Sequence, residues 1–80
     1  MSGFLLHNRH LPAECGVTFA AFKGGASPLR RHETTSSCVT GGHEIWWLVE
    51  AETPDAALAL LPRYVAERST AIPIRKVLIP

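Results

Sequence analysis

The adjacent glycines Gly41 and Gly42 constrain this chain more than any other local feature. They separate two strand-like runs, and a Gly-Gly pair supplies the positive φ angles that a tight hairpin turn requires. The spacing predicts a strand over residues 32–40, a two-residue turn and a return strand over residues 43–51. In that register Thr40 faces His43 and Cys38 faces Ile45, so Cys38 and His43 become diagonal neighbours on one face, about 7 to 8 Å apart. On the return strand Ile45, Trp47, Val49 and Ala51 share one face, and Glu44, Trp46, Leu48 and Glu50 the other.

The flanking segments complete an order. Residues 4–10 read as a first strand, with Phe4, Leu6, Asn8 and His10 on one side and Leu5, His7 and Arg9 on the other. Pro12 suits the first position of a helix, and Cys15, Phe19 and Phe22 recur at helical spacing until Gly24 and Gly25 end it. Residues 26–31 read as a loop. Thr53 as N-cap, Pro54 and Asp55 open a second helix whose Leu58, Leu61 and Val65 face the core, and Pro62 within it predicts a kink or break. Residues 71–79 read as a last strand, and Pro73 places it at a sheet edge. The order βαββαβ implies a single α+β domain over residues 1–80: a ferredoxin-like four-stranded antiparallel sheet, spatial order 4-1-3-2, with two helices on one face.

Composition excludes several classes of function. The chain has 80 residues, 46% hydrophobic and 19% charged, with a mean hydropathy of +0.09. That is too apolar for disorder and too interrupted for a membrane span, and no secretory leader is visible, so a cytoplasmic protein is expected. A formal net charge of +1 invites neither nucleic acid nor an anionic membrane. The third strand also lacks the basic and aromatic signature of an RNA-recognition sheet. No Ser-His-Asp arrangement with a nucleophile elbow is present. A chain this short buries only about 60% of its unfolded surface, so a metal, a disulfide or a partner chain is expected to add stability.

Four histidines and two cysteines are the chemical inventory. In the split βαβ order, the end of strand one, the start of helix one, the end of strand two and the start of strand three meet at one end of the sheet. His10, Cys15, Cys38 and His43 occupy those places. Two thiolates and two imidazoles suit zinc, nickel or copper. Cys15 in a first helical turn is expected to lie where the helix dipole favours its thiolate. The same proximity admits a reversible Cys15–Cys38 disulfide, and the spacings themselves match no standard zinc pattern. His32, beside the Arg30–Arg31 pair, reads as solvated. On the open side of the sheet Leu5, His7, Trp46 and Leu48 form a strip that suits a self-complementary homodimer or another protein partner.

The run from Cys38 through Gly41, Gly42 and His43 to Ile45, Trp46, Trp47 and Val49-Glu50-Ala51, together with the histidine-bearing first strand, resembles small bacterial ferredoxin-like proteins of the dimeric α+β barrel type. Many of these have no assigned function, and some are described as nickel-binding or stress-associated. The resemblance implies a homodimer with sheets packed face to face. It also implies an alternative to metal binding: a cofactor-independent monooxygenase- or isomerase-like enzyme, or a small-molecule binder. Its apolar pocket would be lined by Phe19, Phe22 and Trp47, with His10 or His43 as proton carrier. A third reading is an interaction module without chemistry.

Overall fold

A computed structural model of the chain describes residues 2–23 and 25–80. Four antiparallel strands, β1 (Ser2–Arg9), β2 (Thr35–Ser36), β3 (Glu44–Ala51) and β4 (Ser69–Ile74), form one sheet in the order β2-β3-β1-β4. The β1–β3 ladder runs without a break from Ser2↔Ala51 to Arg9↔Glu44. Because side chains alternate along a strand, this register turns Phe4, Leu6, Ile45, Trp47 and Ala51 to one face, where all are buried. Leu6 and Ile45 are fully enclosed; each such side chain contributes about 1.5–3 kcal/mol over its exposed state.

Three short helices cover that face in part: α1 (Cys15–Ala20), preceded by a 3₁₀ turn at Pro12–Glu14, then α2 (Pro54–Leu58) and α3 (Arg63–Ala66). Thr53 caps α2, its hydroxyl accepting from the Ala56 N–H at 3.0 Å. Ala57, Leu61 and Val65 complete the core. No helix is long and apolar enough to cross a membrane among the described residues.

The expected ferredoxin-like architecture requires correction. Instead of two continuous helices there are segments of six, five and four residues, and the fold is a small α+β sheet with a fragmentary helical cover. The causes are local. Gly16 and the β-branched Val17 and Thr18 lower helix propensity in α1. The predicted break at Pro62 is present: Leu60 and Leu61 N–H groups retreat to i−3 carbonyls, and Pro62 itself is extended at φ −56°, ψ 147°. A proline offers no N–H to continue the ladder. Gly24, expected to end the first helix together with Gly25, lies outside the described residues.

Other boundaries shift as well. The second strand, expected over residues 32–40, keeps only two residues. Ser37 keeps one bond to β3 through its N–H, but its carbonyl leaves the ladder and accepts instead from the Thr40 and Gly42 N–H groups at 3.1 and 2.7 Å. The last strand begins at Ser69, earlier than expected, and ends at Ile74, with Pro73 on an edge strand paired only to β1. In α1 the inward residue is Thr18, whereas Phe19 is 43% exposed. Across α2, α3 and the link between them the buried residues are Ala57, Leu61 and Val65, with Leu58 half-buried.

Thr18 is fully buried and its hydroxyl oxygen has no hydrogen-bond partner among the described residues. An unsatisfied buried hydroxyl costs about 1–3 kcal/mol. Thr18→Val keeps the shape and removes that cost, so its thermal midpoint should rise, by about 4–8 °C for each kcal/mol recovered in a domain of this size. A lower midpoint in calorimetry would show that the hydroxyl is satisfied after all.

Candidate metal centre

The β1–β3 ladder ends at Arg9↔Glu44, and one residue farther the His10 N–H donates to the His43 carbonyl at 3.2 Å. That bond sets the two histidines at the same rim of the sheet. Leu11 then turns the chain. Its N–H donates to Glu14 Oε1 at 2.8 Å while its carbonyl accepts from the Glu14 N–H at 2.8 Å, a reciprocal closure of the first turn. The Cys15 N–H donates to the Pro12 carbonyl, closing the 3₁₀ turn where Cys15 opens α1.

The remaining two residues lie on the loop between β2 and β3. This loop corrects the expected two-residue turn. Ser36 pairs with Ile45, and the Ser37 N–H donates to the Glu44 carbonyl at 2.9 Å, so the chain reverses over residues 38–43. Relative to the expected register the pairing moves by two residues, and Cys38 sits in the loop rather than opposite Ile45. The Cys38 N–H donates to Ser36 Oγ at 3.1 Å and its carbonyl accepts from the Gly41 N–H at 3.3 Å. Gly41 takes φ 94°, a conformation costly for any residue with a Cβ. Gly42 is packed so closely that a Cβ there would lie 2.6 Å from the Ser37 Cβ. His43 itself has φ 56°, in the left-handed region that non-glycine residues enter at a cost of about 1–2 kcal/mol.

All four expected side chains converge. One ligand atom from each of His10, Cys15, Cys38 and His43 lies within 4.8 Å of the others. His10 Nε2 stands between the two thiols, 3.2 Å from Cys15 Sγ and 3.1 Å from Cys38 Sγ. His43 Nδ1 is 3.0 Å from Cys15 Sγ. The imidazole rings meet edge to face, with centroids 6.0 Å apart. Both cysteines are free thiols and half-buried, as is His43, and His10 is buried. A cluster of two nitrogens and two sulfurs at this spacing can hold a transition-metal ion.

Burial lowers the pKa of His10, with the neighbouring His43 adding to the effect and Glu14 opposing it. Its neutral, metal-binding form is therefore favoured. Cys15 moves the other way: burial raises its thiol pKa, and hydrogen bonding and charge repulsion from Cys38 raise it further. The thiol pKa is thus raised even though Cys15 stands in the first turn of the six-residue α1, where the helix end was expected to favour the thiolate. An ion entering the cluster would displace thiol protons.

One contributor escaped sequence reasoning. Asn8 is fully buried beneath the cluster, with its side-chain oxygen 2.8 Å from His10 Nδ1. The available signal was an amide on the otherwise apolar Phe4-Leu6 face, two residues before His10.

The other candidate residues lie elsewhere. Phe19, Phe22 and Trp47 do border one cleft, of about 180 Å³, with Leu29, Arg30 and Arg31. Phe22 and Trp47 pack with ring centroids 6.0 Å apart. None of the four cluster residues lines this cleft, which is smaller than the roughly 300–1,000 Å³ usual for ligand pockets. On the opposite face His7 stacks on Trp46 at 5.5 Å and bonds Glu44 at 2.7 Å. That bond, with Arg9 assisting, holds the Glu44 carboxyl below the ordinary carboxylate range. Leu48 is 74% exposed there, and His32 is exposed as expected.

Two glycines should respond oppositely to a methyl group. Gly42→Ala forces the Ser37 contact apart and should cost on the order of 1–3 kcal/mol in urea unfolding. Gly16→Ala, in α1 with open space around it, should add up to about 1 kcal/mol. Equal effects at the two positions would remove the proposed packing constraint on the loop. No protein-family model, curated protein or solved structure matches this chain.

Proposed function

We propose that the protein binds a divalent transition-metal ion, zinc in the first instance, through His10 Nε2, Cys15 Sγ, Cys38 Sγ and His43 Nδ1. The observation that carries this reading is the convergence of four donor atoms from three separate segments within 4.8 Å. Zinc with bonds of about 2.0–2.1 Å to nitrogen and 2.3 Å to sulfur has tetrahedral N···S edges near 3.6 Å. The contacts of 3.0–3.2 Å need open by only about half an ångström to accept it. Two sulfur and two nitrogen donors suit zinc, whose protein-held sites of this kind are tetrahedral, whereas nickel and copper(II) prefer square-planar geometry. Four protein ligands leave no open coordination position, which supports a structural or ion-holding role over hydrolysis. The ion would bind the end of β1, the start of α1 and the β2–β3 loop into one unit, supplying stability that a chain of this length needs.

Metal analysis of untagged protein should find one equivalent of ion, removable by a strong chelator. Zinc at about 100 times its Kd should then add about 2.7 kcal/mol, or roughly 10–20 °C in thermal midpoint. Cys15→Ser and Cys38→Ser should each abolish most of that gain. No retained ion and an unmoved midpoint with zinc, nickel and copper would refute the reading.

A second reading concerns the open sheet face, where Leu5, His7, Trp46 and Leu48 stand beside Ile72 and Ile74, 42% and 40% exposed. A contiguous apolar strip of this kind supports a homodimer in which two sheets pack face to face. Leu48→Glu should sediment as a monomer where the parent sediments as a dimer. An unchanged assembly would exclude this strip from the interface.

A further inference from the structure

We infer that Asn8 is a positioning residue for the metal centre: it dictates which nitrogen of His10 faces the ion and ties the centre to the start of β4. This inference rests on the metal-binding reading and extends it beyond the four ligands. Ser69 donates its only hydroxyl proton to the Val65 carbonyl at 2.6 Å, so its oxygen is left to accept. The Asn8 Nδ2 group donates to that oxygen at 3.2 Å and to the Arg68 carbonyl, also at 3.2 Å. A backbone carbonyl can only accept. Both amide protons of Asn8 are thus engaged at the α3–β4 junction, and the carboxamide cannot turn over without placing oxygen against oxygen.

With that orientation enforced, the Asn8 oxygen points at His10 Nδ1 from 2.8 Å and can only accept there. His10 must therefore carry its proton on Nδ1, which leaves the Nε2 lone pair aimed at the space between Cys15 and Cys38. A free neutral histidine chooses between its two tautomers. This one has the choice made for it by a buried chain running from Val65 through Ser69 and Asn8. Second partners of this kind typically govern metal affinity by about 10–100-fold. His43 is held differently, presenting Nδ1 to Cys15, so the two imidazoles would bind the ion through different nitrogens.

The test uses Asn8→Leu, which keeps the approximate volume but removes the acceptor, and Asn8→Asp, which restores an acceptor for the Nδ1 proton. Nitrogen-proton correlation spectra of the histidine rings read the tautomer directly, and competition with a chromophoric chelator reads zinc affinity. The parent protein should show His10 protonated on Nδ1 both without metal and with zinc, where Nε2 becomes the ligand. Asn8→Leu should lose the tautomer bias and bind zinc about 10–100-fold more weakly. Asn8→Asp should retain the Nδ1 proton and recover most of the affinity, even though it loses the Arg68 and Ser69 contacts and with them some stability. A structural role alone would weaken both variants alike without moving the tautomer. An Nε2-protonated His10 in the metal-free parent, or affinity in Asn8→Leu equal to the parent, would overturn the inference. If the parent retains no zinc while His10 is Nδ1-protonated, the metal reading fails and the positioning of His10 by Asn8 stands. If Asn8→Leu does not fold, the parent spectra and Asn8→Asp still decide the matter.

Discussion

The unbroken antiparallel ladder between β1 and β3 is the constraint on which the rest of this molecule depends. Its register sets Phe4 opposite Val49, Leu6 opposite Trp47 and Asn8 opposite Ile45 on the core face. It also decides that the chain emerges from β1 beside the start of β3, where His10 and His43 are joined through their backbones. A slip of one residue would send every one of these side chains to the opposite face. The core and the candidate metal centre are thus two consequences of the same pairing.

The centre concentrates costs that a packed domain would otherwise avoid. A histidine is buried with a lowered pKa, a half-buried thiol has a raised one, and His43 takes a left-handed backbone conformation. Backbone strain and perturbed ionisation gathered at one place are features that functional sites share. The helical cover is fragmentary and the second strand is minimal, so the fold has little to spend on such features unless something bound there offsets them. An ion held by the three segments, as proposed, would offset them, because its binding free energy becomes folding free energy.

Much of the site was legible in the chain. The residue types and their positions at element ends were enough to bring His10, Cys15, Cys38 and His43 to a common rim. Alternation along residues 4–10 and 43–51 correctly separated the buried Trp47 from Trp46, which lies on the open face. The Thr53 cap and the break at Pro62 were equally visible, since each acts through its own backbone neighbours. What could not be read was the path of the Cys38–His43 segment. Gly41-Gly42 suggested a tight turn, but the Ser37 carbonyl gathers two N–H groups into a wider loop. That competition between nearly equivalent hydrogen bonds leaves no signature in spacing. The stripe of Cys15, Phe19 and Phe22 likewise presumed a regular helix, and a six-residue helix after a 3₁₀ turn presents Thr18 inward instead.

By itself, then, the sequence determined which faces are apolar, where helices start and break, and which donor atoms are available. Those properties arise from local sterics and the period of side chains along a strand or helix. Tertiary structure alone decided that Asn8 reaches across to Arg68 and Ser69, that His10 stands between two thiols, and that Cys38 serves from a loop. These depend on contacts between residues as much as 61 positions apart, whose geometry follows from long-range strand pairing and cannot be inferred from neighbours along the chain.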